Sequence, residues 1–135
     1  MKNEVVGGAG GRRPTVHRTP PRVINARTDY NHPCEILGDL AYIRARKGRV
    51  AGIKVAFVGE ATNLCHPWFE AAVRLPIQVV QISPEGYQVD PALLAELSHN
   101  AVGELSVMDD LKTGLQDADV IYTEGIPSLS TQIGL

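Results

Sequence analysis

The sequence predicts a doubly wound α/β domain of three layers around a parallel sheet of about four strands. Four short runs rich in Val and Ile alternate with segments of helical character, the pattern of βαβ units. Helix-start residues stand between the strand-like runs, as in Asp90-Pro91 and Asp109-Asp110. At 135 residues the chain suits a single hydrophobic core.

The first helix is expected from about Cys34 to Lys47. Pro33 fits its first turn, where a missing N–H costs nothing, and the apolar positions 36, 37, 40 and 43 fall on one face. The first strand is Ile53–Val58, followed by a helix from Asn63 to about Leu75. The second strand is Ile77–Ile82, and Pro91 after Asp90 opens a helix reaching about Asn100. The third strand is Glu104–Met108. Asp109 and Asp110 favour the positive end of a helix running to about Gln116, and the fourth strand is Asp119–Thr123. Right-handed crossovers then make the domain Rossmann-like.

Hydrophobic content of 44% and charged content of 21% are those of a soluble globular domain. No apolar run approaches the roughly 20 residues that cross a bilayer, and no secretory signal is evident, so a cytoplasmic location without membrane association is expected. Two cysteines, Cys34 and Cys65, are too few for a disulfide framework and read as free thiols in loops. Residues 1–21 are rich in Gly, Pro and Arg and read as a disordered basic tail. The rest holds eight basic against fourteen acidic residues once Arg22 is counted with that tail. An acidic body argues against nucleic-acid binding, which needs a basic face.

Open α/β sheets bind ligands beyond the carboxyl ends of their strands. That rule selects Gly59, Glu60 and Asn63, then Ser83 to Gly86, then Asp109 and Asp110, and finally Glu124, Gly125, Ser128 and Ser130. The carboxylates among them would favour a cationic group such as an amine, although Asp109 and Asp110 also serve as helix caps. Upstream, Asp29-Tyr30-Asn31-His32-Pro33-Cys34-Glu35 puts an imidazole, a thiol and two carboxylates where a loop becomes a helix. His32 stands at that helix mouth, either as a ligand-facing group or as a cap. The run "VGEATN" lacks the second and third glycines of a dinucleotide fingerprint. His32, Cys34, Cys65 and His66 lack the spacing of common zinc motifs.

"NARTDYNHPCEILGDLAYI" resembles the loop and helix of the ornithine/aspartate carbamoyltransferases, whose pattern there is N-x-x-x-D-x-x-H-P-x-Q-x-L-x-D-L. Asn25, Asp29, His32, Pro33, Leu37, Asp39 and Leu40 match it, and Glu35 takes the glutamine position. The resemblance continues through "GIKVAFVGEATN" and "ADVIYTEGIPSLS" in family order, and covers roughly residues 22–130. It implies a transfer of a carbamoyl group from carbamoyl phosphate to an amino-acid amine, with no cofactor and no metal. His32 matches the histidine that donates a hydrogen bond to the carbamoyl oxygen, where negative charge grows. Asn63 matches the asparagine that holds the amino acid, and Glu124 stands where an aspartate receives the α-amino group. Ser128 and Leu129 match the S-M of the ornithine branch, which makes a basic, ornithine-like amino acid the implied acceptor.

The departures bear on mechanism. The family's S-T-R-T-R phosphate loop and H-C-L-P loop do not occur in these residues. Residues 22–135 are therefore expected to be an amino-acid-binding domain truncated on its C-terminal side. Its implied partners are other copies, trimeric in the family, or a complementing carbamoyl-phosphate domain. Glu35 for glutamine adds a negative charge beside a dianionic phosphate, and unit charges 4 Å apart repel by about 4 kcal/mol at an effective dielectric of 20. Three functions stay open: a carbamoyltransferase amino-acid domain, a non-catalytic relic on the same fold, and a nucleotide-binding α/β module.

Overall fold

The computed structural model describes residues 23–124. The basic tail, Ser128 and Leu129 lie outside the described residues. Within them the order is α1 (Pro33–Lys47), β1 (Lys54–Val58), α2 (Cys65–Arg74), β2 (Gln78–Ile82), α3 (Pro91–His99), β3 (Glu104–Met108), α4 (Leu111–Leu115) and β4 (Val120–Thr123). The four strands form one parallel sheet in the order β3-β2-β1-β4. Ala56 sits at its centre, level with Val80 on one side and Ile121 on the other.

Alternation along the strands divides the core into two layers. Val55, Phe57 and Val79 face α1 and α2 and pack with Ile36, Leu40, Ile43, Trp68, Phe69 and Ala72. Ala56, Val80 and Ile82 face the other way, against Met108, Leu115 and Ala118. Helices on both faces give the three-layer, doubly wound α/β fold that the sequence predicts.

Caps fix the helix starts. Asp90 accepts from the N–H groups of Ala92 and Leu93 at the head of α3, with Pro91 in the first turn. Asp110 accepts from Thr113 N–H at the head of α4. Two readings need correction. Leu37 leaves the packed stripe and is 65% exposed, because one helical step of about 100° carries it past Ile36. It rims a cleft of about 570 Å³ between α1, α2 and Leu97 of α3. Neither cysteine lies in a loop: Cys34 is in the first turn of α1, and Cys65 begins α2.

Candidate functional site

The chain leaves β1 toward β2 and β3, then returns to pair β4 on the opposite edge of β1. The carboxyl ends of β1 and β4 therefore diverge into different loops, and this switch point is where such sheets offer a crevice. Thr62, in the loop after β1, donates its hydroxyl to the Glu124 carboxylate at 2.5 Å. The same residue's carbonyl accepts from Cys65 and His66 N–H at the start of α2. Glu124 is thus fastened at the positive end of a helix, where its charge is favoured.

Residues 25–31 run across this crevice as a tied loop. Thr28 and Asn31 close a turn, with Asn31 N–H donating to Thr28 Oγ1 at 3.0 Å. Asn63 Nδ2 donates to the Thr28 carbonyl at 2.7 Å, which commits one of its two N–H groups and leaves its oxygen for another group. His66 Nδ1 lies 3.1 Å from the Tyr30 carbonyl and carries the proton there, since a carbonyl only accepts. The Tyr30 and His66 rings lie 4.8 Å apart, and Asn31 Nδ2 donates to Glu70.

At the head of α1, His32 occupies the N-cap position but makes no side-chain cap bond, so capping does not explain it. Its Nε2 instead meets Glu35 Oε2 at 3.2 Å, while its Nδ1 is buried without a partner among the described residues. The other Glu35 oxygen accepts from the Tyr122 hydroxyl at 3.1 Å. Tyr122 is wedged on the sheet by Phe57, stacked at 5.6 Å, and by the edge of Trp68, also at 5.6 Å. Burial holds the Asp39 carboxyl above its ordinary range. The neighbouring Tyr122 hydroxyl works against that rise, and the Glu35 charge adds to it. Burial and the flanking carboxylates Asp39 and Glu35 push the Tyr122 phenol upward.

His32 and Glu35 are therefore brought together, and Glu124 is tied to Thr62, the residue that precedes Asn63. Tyr122, which donates to Glu35, stands two residues before Glu124 at the end of β4. Three of the other acidic positions, Glu85, Asp109 and Asp110, are not drawn in. Glu85 and Asp109 are exposed, and Asp110 is a cap whose bonds from Thr113 hold it below the usual carboxylate range. Among the described residues no three His, Cys, Asp or Glu side chains are grouped to hold a metal ion. Cys65 is buried and its thiol is pushed up by that burial. No helix among the described residues is long and apolar enough to cross a membrane.

Sequence reasoning missed Tyr122, Thr62 and Asn31. Tyr122 carried a signal, since strand alternation puts it in phase with Val120 on the side facing α1. Thr62 and Asn31 carried none, because their bonds depend on tertiary approach of distant loops.

Residues 51–132 match the family model for the aspartate/ornithine carbamoyltransferase Asp/Orn-binding domain. The ornithine carbamoyltransferase of Thermococcus kodakarensis is 38% identical over 105 residues, which are 76% of this chain and 33% of that protein. The enzyme of the same name from Syntrophus aciditrophicus is 40% identical over 108 residues, covering 80% and 35%. The chain spans about a third of the length of these curated relatives. Among solved structures, ornithine carbamoyltransferase from Gloeobacter violaceus superposes with a TM-score of 0.72 at 32% identity, over 79% of this chain and 39% of that one. The Pyrococcus furiosus enzyme gives 0.70 at 34%, over 78% and 35%.

Proposed function

The chain belongs to the aspartate/ornithine carbamoyltransferase family, and from that premise we propose that residues 22–135 form the amino-acid-binding part of an ornithine-type carbamoyltransferase. The acceptor's amine attacks the carbamoyl carbon of carbamoyl phosphate, and inorganic phosphate leaves. Phosphate recognition falls to a carbamoyl-phosphate domain, and assembly with further copies, as in the family's trimers, completes the enzyme. The observation that carries the reading is Glu124, fixed by Thr62 at the switch point beside Asn63. A carboxylate there is a counter-charge for an ammonium, and the free oxygen of Asn63 is a second acceptor for it. By the family resemblance, Ser128 and Leu129 are further residues for the acceptor. His32 and Glu35, from the other side of Tyr122, face the donor.

Without a closing domain these contacts stay wet, and a surface-like ion pair contributes only about 0–1 kcal/mol. Ornithine should therefore bind the 135-residue chain at millimolar concentration or weaker. Amide NMR titration should move residues 60–63 and 124–130, with affinity falling on added salt and on Glu124→Gln. Shifts elsewhere, or none at high ornithine, would favour a relic of the same fold; shifts with a nucleotide alone would favour the nucleotide-binding module.

A further inference from the structure

Asn63 stands in the turn that leads into α2, and His66 and Glu70 follow it by three and seven residues. Those steps bring the three side chains to one side of the helix. Each bonds the same short stretch of the crossing loop. Asn63 Nδ2 donates to the Thr28 carbonyl at 2.7 Å, His66 Nδ1 donates to the Tyr30 carbonyl at 3.1 Å, and Glu70 accepts from Asn31 Nδ2. Between those points the stretch is a closed turn. Thr28 N–H and Thr28 Oγ1 both donate to the Asn31 carbonyl, at 2.8 and 3.2 Å, and Oγ1 accepts in return from Asn31 N–H at 3.0 Å. A turn closed in this way moves as one piece. What grips Tyr30 and Asn31 therefore also fixes the Thr28 carbonyl.

We propose that His66 and Glu70 are positioning residues of the acceptor site: through the turn 28–31 they hold the Thr28 carbonyl where it orients the Asn63 amide. The proposal rests on Asn63 belonging to the amino-acid site. Neither His66 nor Glu70 has to touch the ligand. A carbonyl only accepts, so the nitrogen of Asn63 faces the turn and its oxygen is left for an ammonium. An amide without that partner turns freely between its two ends, and a ligand then has to order it on binding. Holding it beforehand moves that cost from binding to folding. The two residues hold the turn differently. His66 gives a ring N–H and a ring face that lies 4.8 Å from the Tyr30 ring. Glu70 gives a charged acceptor, which makes the stronger bond. Asn31 directly precedes His32, so the Glu70 bond also ties the head of α1 to α2.

Hydrogen exchange of the Asn63 side-chain amide tests this, followed by ¹⁵N NMR in the 135-residue chain and assigned with Asn63→Asp. His66→Phe keeps a ring against Tyr30 but removes the donor, and should speed that exchange about fivefold, the size of one lost hydrogen bond. Glu70→Leu removes a charged acceptor and should speed it about tenfold or more. Glu70→Gln keeps an oxygen for Asn31 and should stay close to the wild-type rate. Backbone amides of β1 should keep their protection throughout, which separates release of the turn from loss of the fold. Should either α2 variant lose that protection, Thr28→Val, in the exposed turn, carries the test: it opens the turn, leaves the Thr28 carbonyl in place, and should still release Asn63. Ornithine affinity should fall by a similar factor in each released variant and be kept in Glu70→Gln. Unchanged Asn63 exchange in the variants that keep the fold, or release of Asn63 with unchanged ornithine affinity, would overturn the proposal. No ornithine binding by the wild type, with Asn63 still released by the variants, would instead sink the amino-acid-site reading and leave the hold on Asn63 standing.

Discussion

Gln81 shows how much a single polar side chain can hold at the centre of this sheet. It is fully buried on β2. Its amide donates to the carbonyls of Gly59 and Tyr87 at 2.9 and 3.1 Å and accepts from Val89 N–H at 2.8 Å. It therefore staples the loop after β1 to the loop after β2. Gln81→Leu fits the volume but orphans two carbonyls and an N–H, each costing about 1–3 kcal/mol. A loss of about 3 kcal/mol or more is expected in urea unfolding, and a loss under 1 kcal/mol would contradict the staple. Asp39 gives the opposite sign at neutral pH. Its folded-state pKa is raised, chiefly by burial. The stability it contributes is therefore present below its ordinary value of 3.8 and is lost as pH rises through the raised folded value. Asp39→Asn removes that dependence, so the variant should gain on the wild type at pH 7 relative to pH 3. Equal stability differences at both pH values would contradict it.

The elements were largely legible in the sequence because strand composition, turn residues and caps agree locally. Glu104–Met108 is a strand with the bounds its composition predicts, and Asp90-Pro91 opens α3 where the cap chemistry puts it. What stayed illegible depends on approach between elements. Gly103 is an example: a Cβ there would lie 2.1 Å from the Ile77 carbonyl oxygen and 2.7 Å from that of Leu75. The glycine lets the start of β3 run against the backbone that enters β2, where Glu104 N–H bonds the Ile77 carbonyl. Backbone cannot swing aside as a flexible side chain can, so Gly103→Ala should cost about 1–3 kcal/mol as an overpacking change. Thermal unfolding measures it, and an unchanged melting temperature would show that β3 shifts freely. The candidate site was legible in the same uneven way. Asn63 and Glu124 follow from the rule about strand ends, and His32 from the helix mouth. The bond from Thr62 to Glu124 spans sixty-two positions, and no local pattern encodes it.

At the scale of the molecule, charge decides which half of the proposed chemistry these residues can perform. The site is lined by Glu35, Asp39 and Glu124, and the described arginines lie mostly elsewhere. Arg44 and Arg46 sit in the last turn of α1, roughly 18 Å or more along the helix from His32 at 1.5 Å per residue. Arg49 and Lys47 are already paired with Asp119, and Arg74 ends α2, away from the loop after β1. Arg27 alone lies in the loop that crosses the crevice. Carbamoyl transfer requires a dianionic phosphate to be held while it departs, and one exposed guanidinium beside several carboxylates does not provide that. The purified 135-residue chain should therefore form no citrulline above background from ornithine and carbamoyl phosphate. Activity should appear only on adding a protein that carries the family's phosphate loop, and should then depend on Glu124. Turnover by the chain alone would show that the acidic crevice binds phosphate after all, and would overturn the division of labour argued from its charges.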